Sequence, residues 1–193
     1  MDKGKKYCLC CGEDVPCNVV VRDGQKILTC SYCGFTLDVE KLWQEKEVSE
    51  ETYALIAEDS DFARKLLKEL VSKSKIVSEV IALTNGLELI TEITKLRKSN
   101  AKISFAIIDL SMPVMDGLTA ASIIRSYEEK EENVKKIPIV FFSAVKADEE
   151  LKRQMELFAP AHYLNKGSDP DPRSLVDRIY VLLNFISHHY QAA

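Results

Sequence analysis

Cysteine is missing from residues 34–193. All six, Cys8, Cys10, Cys11, Cys17, Cys30 and Cys33, fall in the first 33 residues. So sharp a shift in composition marks a domain boundary. Long hydrophobic runs are also lacking. The best, Ile137 to Val145, is nine residues, against the roughly 18 or more that a membrane helix needs. The basic start, Met1-Asp2-Lys3-Gly4-Lys5-Lys6, is followed by no apolar signal core. No charge sign dominates: 26 Lys and Arg face 30 Asp and Glu, a net charge of −4. That excludes a polybasic chain binding nucleic acid along its whole length. Apolar residues at 46% and charged residues at 29% exclude a disordered or collagen-like chain. A soluble, cytoplasmic protein with no membrane insertion is expected.

The cysteines form two Cys-x-x-Cys-Gly motifs, Cys8-Leu9-Cys10-Cys11-Gly12 and Cys30-Ser31-Tyr32-Cys33-Gly34. A two-residue gap lets both thiolates reach one ion while backbone amides point at the sulfurs. The glycine after each second cysteine suits a turn of positive φ. Two such turns supply the four sulfurs of a tetrahedral, structural Zn2+ site: Cys8, Cys11, Cys30 and Cys33. Asn18 to Thr29 between them reads as strand, Asp23-Gly24 turn, strand. Residues 1–37 are therefore expected to be a small zinc ribbon with four cysteine ligands. Its metal would hold it together, because so short a module buries little core. Cys10 is an alternative ligand to Cys8 or Cys11, Cys17 is left over, and a disulfide framework is the competing reading in an oxidising compartment.

Residues 38–51 (DVEKLWQEKEVSEE) read as a charged linker, with Val39, Leu42, Trp43 and Lys46 at helical spacing. From residue 52 to 193 short apolar runs alternate with amphipathic stretches. Strands are expected at 53–57, 78–83, 103–108, 137–142 and 162–164. Helices are expected at 61–72, 87–97, 117–131, 148–158 and 173–188, with Asn85-Gly86 as a turn. Five strand–helix units with continuously apolar strands indicate α/β architecture, a five-stranded parallel sheet wound on both faces. Glu58, Asp59, Asp109, Ser143 and Lys166 follow the C-terminal ends of four strands, the edge where open α/β sheets bind ligands.

Three carboxylates in one pocket repel strongly. A hard divalent cation cures this, and oxygen donors without imidazole favour Mg2+. Three negative charges, one Mg2+ and the Lys166 ammonium sum to zero. Such a site can take a phosphoryl group, with Asp109 as the in-line nucleophile.

These residues, Glu58-Asp59-Ser60, Asp109-Leu-Ser-Met-Pro-Val-Met-Asp-Gly117, Ser143-Ala144 and Tyr163-x-x-Lys166, stand in the order found in response-regulator receiver domains. Residues 52–188 resemble that family and its single-domain, bacterial chemotaxis regulators, with a CheY-like, flavodoxin-like fold. The resemblance implies that Asp109 is the phosphoacceptor from a sensor histidine kinase. It implies Mg2+ on Asp59, Asp109 and the Ser111 carbonyl, with Glu58 acting through water. It makes Ser143 the phosphoryl sensor, Tyr163 the rotating switch, and the fourth helix, fifth strand and fifth helix the switched surface. The chain is then a phosphoacceptor, catalysing at most its own phosphotransfer and slow dephosphorylation, and not an enzyme of turnover. It departs from the family at Gly167, where proline is usual, and this leaves the position of Lys166 less fixed. The charged stretch 128–136 reads as an insertion that lengthens the third helix and its loop, with a solvated end.

Other readings compete for the same residues. A Mg2+-dependent phosphatase with an Asp nucleophile typically has a second Asp two residues on, where this chain has Ser111. A receiver fold that signals without phosphorylation is the remaining alternative. The last helix carries two apolar stripes (Leu175, Ile179, Leu182, Ile186 and Val176, Tyr180, Leu183), wide enough for core plus a homodimer face. His162, His188 and His189 read as surface residues. Few residues follow His188, so no effector domain is expected after the receiver, and the ribbon is the candidate output. Its basic residues (Lys3, Lys5, Lys6, Arg22, Lys26) are interleaved with Glu13, Asp14 and Asp23. Nucleic acid needs a denser cationic stripe, so a downstream protein target is preferred over a nucleic-acid target.

Overall fold

The computed structural model describes residues 5–8, 10–22, 25–37, 51–131, 135–167 and 172–190. The linker reading, Trp43 and the Asp23-Gly24 turn lie outside the described residues.

The N-terminal module is two hairpins. Strands β1 (Lys6–Cys8) and β2 (Glu13–Val15) pair antiparallel, as do β3 (Cys17–Arg22) and β4 (Gln25–Cys30). The sequence pattern shows the second hairpin. The first escapes it because three-residue strands carry too little alternation to register. Each cysteine turn begins at a strand end, Cys8 or Cys30. Gly12 and Gly34 hold φ of +73° and +72°, the left-handed region that favours glycine.

The rest is a wound α/β sheet: β5 (Thr52–Ala57), α1 (Asp61–Ser74), β6 (Glu79–Leu83), α2 (Gly86–Lys98), β7 (Lys102–Asp109), α3 (Gly117–Glu128), β8 (Ile139–Ser143), α4 (Glu149–Leu157), β9 (Ala161–Asn165) and α5 (Pro172–Tyr190). All strand pairs are parallel, in the order β6-β5-β7-β8-β9. The order reverses at β5, which places the ligand crevice at the C-terminal ends of β5 and β7. Helices start where short polar side chains cap them: Ser60, Asn85, Asp116 and Asp148 each accept a backbone amide three residues on. Asn85-Gly86, expected as a turn, is thus a cap and a first helical residue.

Two expectations are corrected. α3 stops at Glu128, short of the expected 131, and that last residue is not solvated, whereas residues 129–131, 135 and 136 are exposed as expected. Glu128 is buried, with Oε2 2.5 Å from Arg125 Nη1 and Oε1 accepting from Arg97 and from the Ile137 amide. This acid closes an internal ion-pair network, and residues 132–134 lie outside the described set. His162 is not a plain surface residue: it donates to or accepts from the Tyr190 hydroxyl at 2.9 Å and lies edge-on to Phe185.

The two faces of the sheet bury separate apolar clusters. One joins α1, α5 and inward residues of β5, β7, β8 and β9, and it continues into the N-terminal module through Cys8, Cys10, Val15, Cys30 and Phe35. Phe35 packs on Phe185 of α5 with ring centroids 5.6 Å apart. Phe185, which lies outside both apolar stripes of α5, is thus met by the N-terminal module.

Candidate functional site

The sheet register aligns the strand ends. Ala57 pairs with Ile108 and Leu83, Asp109 with Phe142, and Ser143 with Asn165. Glu58, Asp59, Asp109, Ser143 and Lys166 consequently share one edge. Carboxylate oxygens of Glu58, Asp59 and Asp109 all lie within 4.8 Å of one another. Glu58 and Asp109 are buried and Asp59 is exposed. The Lys166 Nζ bridges the two buried acids, at 2.9 Å from Asp109 Oδ2, 3.0 Å from Glu58 Oε1 and 2.9 Å from Glu58 Oε2.

Local bonds fix each group. The Ser60 amide donates to Glu58 Oε1 at 3.2 Å and the Ser111 amide to Asp109 Oδ1 at 3.3 Å. Arg64 donates to the carbonyls of Glu58 and Asp59, tying the acid pair to α1. Gly117 must be glycine for a steric reason: a Cβ there would stand 2.2 Å from the Asp109 carbonyl oxygen. The loop after β7 can then fold back on the strand end that carries Asp109.

Burial pushes the Glu58 carboxyl up, and Lys166 only partly opposes it. Lys166 is itself desolvated, yet Asp109 and Glu58 outweigh that and hold its ammonium above the usual lysine range. Glu58 Oε2, despite its closeness to the ammonium, makes no hydrogen bond. A buried carboxylate oxygen with a lone pair to give, beside two further carboxylates, suits a hard divalent cation.

Ser143 is buried, and its Oγ accepts from the Val145 amide at 3.2 Å. Tyr163 is turned inward, its hydroxyl donating to the Val145 carbonyl. Burial raises its phenol pKa. Lys166, expected to be loosely placed beside Gly167, is firmly held. Its amide donates to the Ser143 carbonyl at 2.7 Å, and the Gly167 amide donates to Asn165 Oδ1 at 2.6 Å. Asn165 and Arg178 escape sequence reasoning: an asparagine at a strand end and an arginine on a helix carry no pattern of their own.

The four cysteines also converge. Cys8, Cys11, Cys30 and Cys33 place their sulfurs within 4.8 Å of one another, and none is in a disulfide. Cys8 and Cys33 sulfurs are 3.6 Å apart and those of Cys11 and Cys30 3.8 Å. Four sulfurs at about 2.3 Å from one tetrahedral ion stand about 3.8 Å apart. Amides of Tyr32 and Cys33 point at Cys30 Sγ, and that of Cys11 at Cys8 Sγ. Hydrogen bonds from neighbouring thiols lower Cys8, and Cys11 lowers Cys30 to about 7, while the partners Cys11 and Cys33 are raised. Cys10 lies outside the set, buried, its thiol pushed up by desolvation. Cys17 donates to the Val15 carbonyl.

Comparison with known proteins agrees with this geometry. The family model of the response regulator receiver domain matches residues 54–179. The peroxide stress-activated histidine kinase mak2 of Schizosaccharomyces pombe is 36% identical over 101 residues, 52% of this chain and 4% of that one. Hybrid signal transduction histidine kinase G of Dictyostelium discoideum is 30% identical over 145 residues, 74% of this chain and again 4% of that one. The chain thus spans about 4% of the length of these relatives. Among solved structures, chemotaxis response regulator CheY4 of Vibrio cholerae superposes with a TM-score of 0.54 at 18% identity, covering 70% of this chain and 98% of that one. The receiver domain of histidine kinase CKI1 from Arabidopsis thaliana, solved with Mg2+ and BeF3−, gives 0.55 at 23% identity, covering 70% and 89%. No described helix is long and apolar enough to cross a membrane.

Proposed function

The chain belongs to the response regulator receiver family, and from that premise we propose that Asp109 accepts a phosphoryl group from the phosphohistidine of a sensor kinase or phosphotransfer protein. The observation that carries this is the convergence of Asp109, Glu58 and Lys166 within 3.0 Å contacts at the switch point of the sheet. An Asp109 carboxylate oxygen forms the new O–P bond as the donor's N–P bond breaks, and the freed imidazole nitrogen keeps the electron pair and takes up a proton. Lys166, already at Asp109, neutralises charge on the transferred phosphoryl oxygens, and the Ser143 hydroxyl supplies a hydrogen bond. Asp59, Asp109 and the Ser111 carbonyl would hold Mg2+, with Glu58 through water. The ion would supply neutralisation of the crowded negative charge.

Ser143 and Tyr163 both meet the Val145 segment. Rearrangement there on phosphorylation would reshape the face of α4, β9 and α5, the proposed docking surface for a downstream protein. Zn2+ on Cys8, Cys11, Cys30 and Cys33 is the proposed structural ion of the N-terminal module. The chain acts as a switched phosphoacceptor, not as a turnover enzyme.

The test is intact mass after acetyl phosphate and Mg2+. The wild type gains one phosphoryl group and Asp109→Asn gains none. No gain in the wild type, with a phosphohistidine donor also failing, would make the chain a phosphorylation-independent adaptor.

A further inference from the structure

The Cys8–Gly12 turn does not merely pack beside the receiver; it is bonded to the segment that carries Lys166. Among the described residues β9 is an edge strand, paired only with β8. The amide of its last residue, Asn165, donates instead to the carbonyl of Cys10 at 3.0 Å. The Asn165 side chain then ties two loops together. Its Nδ2 donates to the Val145 carbonyl at 2.8 Å and its Oδ1 accepts from the Gly167 amide at 2.6 Å. The next residue, Lys166, donates its own amide to Ser143 and reaches Asp109 with its ammonium. A path of adjacent bonded groups therefore runs from the first cysteine turn to the phosphoacceptor.

A second observation places the same two loops against one side chain. Arg178 of α5 is 2% exposed, and its Nε has no hydrogen bond. A Cβ on Gly12 would stand 2.5 Å from one terminal nitrogen of this guanidinium, and a Cβ on Gly167 2.8 Å from the other. Both glycines have positive φ, +73° and +79°. The guanidinium is thus wedged between the cysteine turn and the lysine loop, with backbone pressed on each side.

The cysteine turn buries Cys8 and Cys10 against the receiver core but has few backbone ties of its own. Gly12 donates to the Cys8 carbonyl at 2.8 Å, and the flanking strands are three residues each. A module this small takes its shape from its metal. We propose that the Cys8–Gly12 turn is a positioning element of the phosphoryl-transfer site. In this reading metal on the four cysteines fixes the Cys10 carbonyl, which fixes Asn165 and hence Lys166. Metal affinity and the affinity of the Asp109 site for a phosphoryl analogue are then linked, and that linkage of affinities is reciprocal. A cavity of about 260 Å³ lies in the same seam, between Cys11, Tyr32 and Cys33 on one side and Lys146, Tyr163 and Asn165 on the other. It leaves room for the seam to adjust when Tyr163 or the Val145 loop moves. This inference rests on Asp109 being the phosphoacceptor.

The experiment uses the full chain, loaded with one equivalent of Zn2+ or stripped by a chelator. Three quantities are read: the rate of phosphorylation by acetyl phosphate with Mg2+, zinc release to a chromogenic chelator with and without BeF3−, and amide hydrogen exchange. Stripping is expected to slow phosphorylation about tenfold, and BeF3− to lower equilibrium zinc release to the chelator about fivefold or more. Exchange at Asn165 and Lys166 should rise on stripping while α2 stays protected. A merely structural module would not make zinc release respond to BeF3−. Equal phosphorylation rates in the two forms, or zinc release indifferent to BeF3−, would overturn the proposal. If the zinc-loaded wild type accepts no phosphoryl group, the phosphoacceptor reading fails by itself. Exchange at Asn165 and Lys166 then decides the clamp: zinc-dependent protection supports it and unchanged exchange refutes it. Should α2 also lose protection on stripping, Asn165→Ala keeps every metal ligand and cuts the side-chain ties. The backbone bond to Cys10 remains, so its zinc release should respond to BeF3− more weakly, and a response of undiminished size refutes the path.

Discussion

The Lys166 ammonium stands 2.9 Å from Asp109 Oδ2 and within 3.0 Å of both Glu58 oxygens. One cation therefore serves two buried acids. Asp59, the third carboxylate, is exposed beside them. The pocket thus gathers three carboxylates around a lysine that pairs with two of them, which leaves it short of positive charge. Three consequences can be measured.

Glu58 titrates above the usual glutamate range because burial disfavours its charged form. A raised carboxyl binds its proton more tightly in the folded chain. Folding stability from this group is therefore gained as pH falls through the raised pKa and lost as pH rises through it. Without divalent cation, Glu58→Gln should lose that part of the pH dependence on the alkaline side of the ordinary carboxyl value of 4.5. Urea midpoints measured upward from that pH check this, and an unchanged pH dependence would refute it.

Lys166 titrates above its ordinary value because Asp109 and Glu58 outweigh its desolvation. Its contribution to stability is full below the unfolded lysine pKa and disappears as pH rises through the higher folded value. Lys166→Met should flatten the fall in thermal stability of the wild type above pH 10.5. It should also abolish phosphorylation without preventing folding, read by intact mass and circular dichroism.

Magnesium should stabilise the wild type. At about ten times its dissociation constant the gain is about 1.4 kcal/mol. Asp59→Asn changes an exposed residue, so its fold should persist while most of that gain is lost. Denaturation with and without Mg2+ reads both.

Gly117→Ala brings a methyl group to 2.2 Å from the Asp109 carbonyl oxygen. Backbone must move, at a cost of about 1–3 kcal/mol. Because the displaced strand end carries Asp109, phosphorylation should slow as well. A variant of unchanged stability would contradict the close approach.

Glu128→Ala removes the acid that holds Arg125 at 2.5 Å and accepts the Ile137 amide. Arg125 is 4% exposed and keeps only carbonyl partners. An uncompensated buried charge of this kind costs about 3–5 kcal/mol, read as a lowered denaturation midpoint.

Much of this molecule is legible without coordinates. Strand–helix alternation is carried by local periodicity, so every strand and helix of the parallel sheet appears in the pattern. Glu58, Asp59, Asp109, Ser143 and Lys166 are legible because strand ends in a parallel sheet necessarily share one edge. The four clustered cysteines are legible because Cys-x-x-Cys spacing brings sulfurs together locally. Contacts between distant segments are not. Nothing local tells that Cys10 offers its carbonyl to Asn165, that Arg178 wedges between Gly12 and Gly167, or that Phe35 packs on Phe185 of α5. Glu128 reads as solvated because its partners, Arg97 and the Ile137 amide, come from other elements. The sequence by itself determined the elements, the sheet edge and both candidate ligand sets, since these follow from periodicity and spacing. Only the tertiary structure decided that the cysteine module is joined to the lysine loop. That junction depends on packing between residues as distant in the chain as Cys10 and Asn165, and no local pattern encodes it.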